Sequence, residues 1–154
     1  KDFKTPEDIM VSETKLIVRY QETDQMGIVH HSVYPIWFEC GRTDLIKYAG
    51  ITYSQMEKEG VSLPLIGLNC RYLYPAHYED EILVKTGVLD MTPSRITFKY
   101  SVYKKGFEKE IASGQTEHVW VNDELKPVNL KKYKPEIYMM IKKYFTEDEN
   151  HEKE

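Results

Sequence analysis

The stretch Tyr20-Gln21-Glu22-Thr23-Asp24-Gln25-Met26-Gly27-Ile28-Val29-His30-His31-Ser32 gathers the groups of this chain best suited to chemistry. A carboxylate, Asp24, stands on a loop that leads directly into the start of a helix. The first amides of a helix have no partner within it and carry partial positive charge. An oxyanion forming beside them is stabilised. Gly27 allows the backbone to come close to a ligand. A base or nucleophile can thus be set beside oxyanion donors. The same residues admit a plainer reading, with Asp24 as a turn residue or helix cap, His31 as a capping or merely exposed imidazole and Tyr20 as a core tyrosine.

Other chemistries find less support. His30 and His31 are adjacent, His77, His118 and His151 are scattered, and no HExxH spacing occurs, so no metal site is expected. Cys40 and Cys70 form no CxxC pair, and Cys40 sits in an apolar segment where it reads as a small core side chain. There is no GxSxG elbow, GxGxxG turn or P-loop. The net charge of −4 and a pI near 5.8 argue against a nucleic-acid partner. Residues 1–11 lack the apolar run of a secretory leader, and the longest uncharged run, 25–38, is too short and polar to span a bilayer. A reduced, cytoplasmic chain is expected.

The elements that must position Asp24 follow from periodicity. Residues 15–22 alternate, with Leu16, Val18 and Tyr20 on one side, and read as a strand. Residues 23–29 break the alternation and form a loop. Residues 32–49 read as one long helix, with Pro35 near its start and Gly50 placed for a left-handed cap. Asp44 falls on that helix's apolar face, a flaw in its pattern. A short helix over 52–58 follows.

Four strands are then expected over 63–74, 81–91, 95–104 and 108–121, with a tight turn at Thr92-Pro93-Ser94. Ala112, Gly114 and Thr116 share one face of the last, a column of small side chains under which a helix can come close. Residues 135–145 form a terminal helix. One domain over 14–145 results, preceded by an extension (1–13) and followed by a charged tail (146–154). The class is α+β: an antiparallel sheet wrapped around one long central helix.

The residues also carry a family likeness. Tyr20-x-x-Thr23-Asp24-x-x-Gly27-Ile28-Val29-x-His31-x-x-Tyr34 resembles the motif of the 4-hydroxybenzoyl-CoA thioesterase family, in its YbgC-like branch. Trp37-Phe38-Glu39-x-x-Arg42-Thr43-Asp44 is similar to the family's central helix. Cys70-Arg71-Tyr72-x-x-Pro75-Ala76-x-Tyr78-x-Asp80 is similar to its second strand and following loop. The resemblance covers about residues 14 to 122 and implies a hotdog fold. It also implies an acyl-CoA thioesterase with Asp24 as nucleophile or general base, and His31 at the helix start, whose backbone N–H donates to the thioester carbonyl. Tyr20 matches a third polar residue near the site. Gly27, Ile28 and Val29 are placed along the substrate, and Ser94 and Arg95 match a region that meets the CoA nucleotide. Gln25-Met26 stand where relatives carry small residues.

No cofactor is implied, coenzyme A being part of the substrate. A homodimer or homotetramer is implied, with sheets joined edge to edge and each site completed by a second copy. An acyl carrier protein is the other carrier the likeness admits. The competing function is a non-catalytic acyl-CoA or acyl-carrier-protein binder, which needs the pocket but not Asp24. A hotdog hydratase is a further rival, and its different Asp/His motif is missing here.

Overall fold

The computed structural model describes residues 11–153. Its core is a five-stranded antiparallel sheet in the order β1-β3-β4-β5-β2. The strands are β1 (Val11–Ile17), β2 (Leu65–Tyr72), β3 (Glu81–Met91), β4 (Arg95–Lys104) and β5 (Ala112–Val119). The helices are α1 (Tyr34–Ala49), α2 (Tyr53–Lys58), α3 (Leu130–Tyr133) and α4 (Pro135–Lys153). The sheet wraps around α1, as the hotdog expectation requires.

The central strands follow the alternation read from sequence. Ile82, Val84 and Val88 of β3, and Ile96, Phe98, Tyr100 and Val102 of β4, are buried against α1. From α1 come Trp37, Phe38, Leu45 and Ile46. The small column of β5 acts as expected: a Cβ on Gly114 would lie 2.6 Å from the Phe38 ring and 2.5 Å from the Asn69 carbonyl oxygen. That close approach lets Phe38 lie flat on Tyr100, with ring centroids 4.3 Å apart. Asp44 is accommodated because its carboxylate accepts the Thr14 hydroxyl of β1 at 2.6 Å.

Several boundaries differ from expectation. The first strand begins at Val11, so residues 11–13 pair into the sheet instead of preceding it. It ends at Ile17, and Tyr20–Glu22 curl into a 3-10 turn closed by Glu22, whose carboxylate accepts the Arg19 N–H at 2.8 Å. Tyr20 therefore leaves the face shared by Leu16 and Val18 and is 73% exposed. The helix expected from residue 32 opens as a separate 3-10 turn, His31–Val33, before α1 proper. The strands expected over 63–74 and 108–121 are shorter than read, because Pro64 and Glu108 to Glu110 stand outside the ladder, whereas β4 keeps the expected bounds. The terminal helix runs on to Lys153 through most of the segment expected as a tail. The strand after α2 does not pair with its successor β3; it crosses to the far edge beside β5. Among the described helices none is long and apolar enough to cross a membrane.

Candidate active site

Asp24 sits on a loop whose neck is closed by backbone alone. Thr23 bridges Val29, the Asp24 N–H donates to the Ile28 carbonyl at 2.9 Å, and the Gly27 N–H donates to the Asp24 carbonyl at 2.9 Å. The Asp24 side chain braces the turn by accepting the Met26 N–H on Oδ1 at 2.9 Å. Short acidic side chains favour such a turn because they reach the amide two residues on. Gly27 takes φ +80°, a conformation that L side chains rarely adopt. The plainer reading of Asp24 as a turn residue is thus true as far as it goes. Its second oxygen has no partner among the described residues.

The loop is anchored at one end of the sheet. Val29 is buried and its N–H donates to the Ala76 carbonyl; Ile28 bridges His77. Lys104, at the end of β4, donates to the Pro75 carbonyl at 2.8 Å. The chain then enters the 3-10 turn His31–Val33. Its N-cap is His30, whose Nδ1 accepts the Ser32 N–H at 3.1 Å. The His30 carbonyl accepts the Val33 N–H at 3.0 Å, and the His31 carbonyl accepts the Tyr72 hydroxyl at 2.8 Å. The His31 N–H has no acceptor among the described residues.

Asp24 and His31 line one groove of about 370 Å³ together with Ile28, Val29, Tyr34 and Tyr72. Asp24 is the one carboxylate in a lining otherwise apolar and aromatic. Tyr34 is buried edge-on to Tyr72 at 5.1 Å, and burial pushes its hydroxyl pKa up to about 12. A carboxylate with a free oxygen and an unpaired amide at a helix entrance, on one apolar groove, can bind an acyl carbonyl and supply a base or nucleophile to it. Gly27 forms the loop tip beside the groove. Sequence reasoning passed over His30, whose capping role needs a neighbouring Ser32, and Tyr72, whose partner lies 41 residues away.

The remaining candidates are elsewhere. Tyr20 stands on the surface against Tyr78, ring centroids 5.5 Å apart, and does not line the groove. Ser94 and Arg95 are exposed at the β3–β4 turn, where the Ser94 and Arg95 amides both donate to Thr92 Oγ1. Arg95 opens β4 and Lys104 closes it near the Asp24 loop. Nine steps of strand separate them, about 30 Å. One chain does not bring Arg95 to Asp24.

The chain as a whole is similar to known proteins. Residues 18–137 match the model of the thioesterase-like superfamily. A Bacillus subtilis protein, YneP, whose name gives it provisionally as an acyl-CoA thioesterase, is 39% identical over 134 residues, covering 86% of this chain and 96% of its own. The acyl-CoA thioester hydrolase YbgC of Escherichia coli is 25% identical over 81 residues, 53% of this chain and 60% of its own. Among solved structures, a DHNA-CoA thioesterase from Staphylococcus aureus superposes with a TM-score of 0.85 at 32% identity, covering 94% of this chain and 95% of that one.

Proposed function

The chain belongs to the thioesterase-like superfamily, and from that premise we propose that it hydrolyses the thioester of an acyl-CoA to the free acid and CoA. The observation that carries this reading is the pairing, on one apolar groove, of a carboxylate with an uncommitted oxygen and the unpaired His31 amide. The acyl group lies along the apolar and aromatic lining. The thioester carbonyl oxygen accepts the His31 N–H, and negative charge developing on it is stabilised by the start of the helix.

Asp24 has two balanced routes. Its free oxygen attacks the carbonyl carbon, the C–S bond breaks to release the CoA thiolate, and water hydrolyses the resulting anhydride. Alternatively it takes a proton from a water that attacks the same carbon, with the same thiolate leaving. A thiol of pKa roughly 8.5 leaves readily, so neither route needs a strong general acid.

The assembly follows from the sheet edge. β2 pairs only with β5 among the described strands, and Leu65, Ile66 and Leu68 on it are 46%, 49% and 43% exposed. An apolar, unpaired edge calls for a partner strand, and a second copy of β2 supplies one. β2 runs parallel to β4, since each is antiparallel to β5. A two-fold antiparallel junction of two β2 strands therefore sets the second copy's Arg95 end beside this chain's Asp24 end. The lateral offset is three strand spacings, about 14 Å, which suits a CoA nucleotide held by one copy and an acyl thioester by the other.

The test is a panel of aliphatic and aromatic acyl-CoA esters with detection of released thiol. Turnover of at least one class is expected. Binding without turnover across the panel would return the chain to the non-catalytic alternative.

A further inference from the structure

Two consecutive peptide units meet at His31, and three of their four polar groups are fixed. The His30 carbonyl and the Ser32 N–H are held by local partners within the turn. The His31 carbonyl is held from another element, by the Tyr72 hydroxyl at the end of β2. The fourth group, the His31 N–H, faces no acceptor among the described residues. The Tyr72 ring is itself set in place: it meets Tyr34 at 86°, and Tyr34 lies 4.7 Å from Trp37, both buried on α1.

We propose that Tyr72 is a positioning residue for the hydrolysis, its hydroxyl clamping the His31–Ser32 peptide so that the adjoining His31 N–H is held on the groove for the thioester oxygen. The proposal rests on the thioesterase reading above. The local bonds of the turn fix it relative to its own neighbours in sequence. Val33 packs the turn into the core, and among the described residues the Tyr72 bond is the hydrogen bond that ties it to the sheet, and so to the groove wall along which the acyl group lies. An oxyanion donor works by being aimed before the charge forms; a turn free to rock relative to that wall would have to be reordered in every turnover. A simple surface hydrogen bond, by contrast, would leave the chemical step untouched when lost.

The test compares wild type, Tyr72→Phe, His30→Ala and the double variant. Phenylalanine keeps the ring and removes only the hydroxyl. Tyr72→Phe is expected to fold with a thermal midpoint near wild type. It should lose about tenfold in kcat, a fraction of the hundred- to thousandfold that removing a whole oxyanion donor costs, with KM within about twofold. Because His30 and Tyr72 grip the same peptide plane, the double variant should lose less than the product of the single losses.

An unchanged kcat, a loss carried by KM alone or a fully multiplicative double variant would each overturn the proposal; the second would make Tyr72 a substrate contact instead. Amide chemical shifts and exchange at His31 and Ser32, read on the unliganded protein, require no turnover. They should move in Tyr72→Phe. A wild type that hydrolyses nothing would sink the thioesterase reading while leaving the clamp to this readout, where unmoved amides would sink the clamp as well.

Discussion

Two polar clusters press against the central helix, and they are finished in opposite ways. Beneath α1, half-buried Arg42 donates to the Tyr100 hydroxyl at 3.4 Å, the Tyr100 and Thr116 hydroxyls hydrogen-bond at 2.6 Å, and Thr116 meets His118 Nε2 at 2.9 Å. His118 Nδ1 reaches the Leu63 carbonyl at 3.0 Å. That carbonyl only accepts, so Nδ1 carries the hydrogen and Nε2 accepts from Thr116. Every member of the chain has a partner, and the inner three residues are excluded from water. At the entrance of α1 the Asp24 cluster is braced just as carefully, yet it stops short: among the described residues one carboxylate oxygen and one amide are left over, on two residues that line the same groove. A closed network has spent its hydrogen-bonding capacity on the fold. An open one keeps some for a ligand. The two clusters should therefore fail differently when disturbed.

The largest expected effect is in the open cluster. Asn at position 24 retains an acceptor oxygen for the Met26 N–H, so Asp24→Asn should fold with a thermal midpoint near that of wild type. It should lower kcat by roughly a hundred- to ten-thousandfold, about 3 to 5 kcal/mol of barrier, the range for losing a base or nucleophile. Steady-state kinetics beside a melting curve decide it. Near-normal turnover would break the comparison, since the leftover oxygen would then have no use.

The closed cluster should instead answer to acid. Burial, opposed in part by the Leu63 bond and aided by the Arg42 charge, lowers the His118 pKa from 6.5 to about 4. Between those values the unfolded chain binds more protons than the folded one. The contribution of His118 is thus complete above about pH 6.5, falls as the pH drops, and is exhausted near 4. The full loss is about 3 kcal/mol. Protonation would also turn Nε2 into a donor and leave the Thr116 hydroxyl hydrogen without its acceptor. Denaturant melts across this window should show the slope in wild type and much less of it in His118→Gln. A pH-independent wild type would mean the strip is open to water.

The two clusters were also unequally legible in the sequence. Asp24 and Gly27 were readable because a carboxylate two residues before an amide and a glycine at a left-handed turn are local matters. His118 falls two residues beyond Ala112, Gly114 and Thr116 on the face read as lying under the helix, and that face is buried. The central pair β3 and β4 was readable from its alternation and its three-residue turn. What escaped depends on contacts distant in sequence. β2 crosses to the far edge because its partner is β5, and no local pattern encodes that register. Tyr20 keeps the strand's alternation on paper, but Glu22 caps the Arg19 N–H and curls the backbone out of the ladder. Tyr72 was noticed only as part of a likeness, since its partner is on another element.

The smallest effect tests whether the open cluster is completed from outside the chain. Arg95 is exposed, opens β4 at the end away from Asp24, and has no role in the closed strip. If a second copy carries it to the mouth of the groove, it meets the nucleotide phosphates of CoA and takes no part in the chemical step. Arg95→Ala should then raise KM about threefold to fivefold and leave kcat intact, because an exposed ion contact is worth under about 1 kcal/mol. The increase should shrink with added salt and vanish for an acyl-pantetheine, which lacks those phosphates. Mixed dimers separate the copies. With one intact Asp24, placing Arg95→Ala in the copy that carries Asp24→Asn should raise KM, whereas placing it in the copy that keeps Asp24 should not. The reverse pattern would mean that Arg95 serves its own chain across about 30 Å of strand, which a β2-to-β2 junction does not allow, and the edge-to-edge assembly would have to be withdrawn. Equal losses on acyl-CoA and acyl-pantetheine would instead place Arg95 in folding, and remove it from the site.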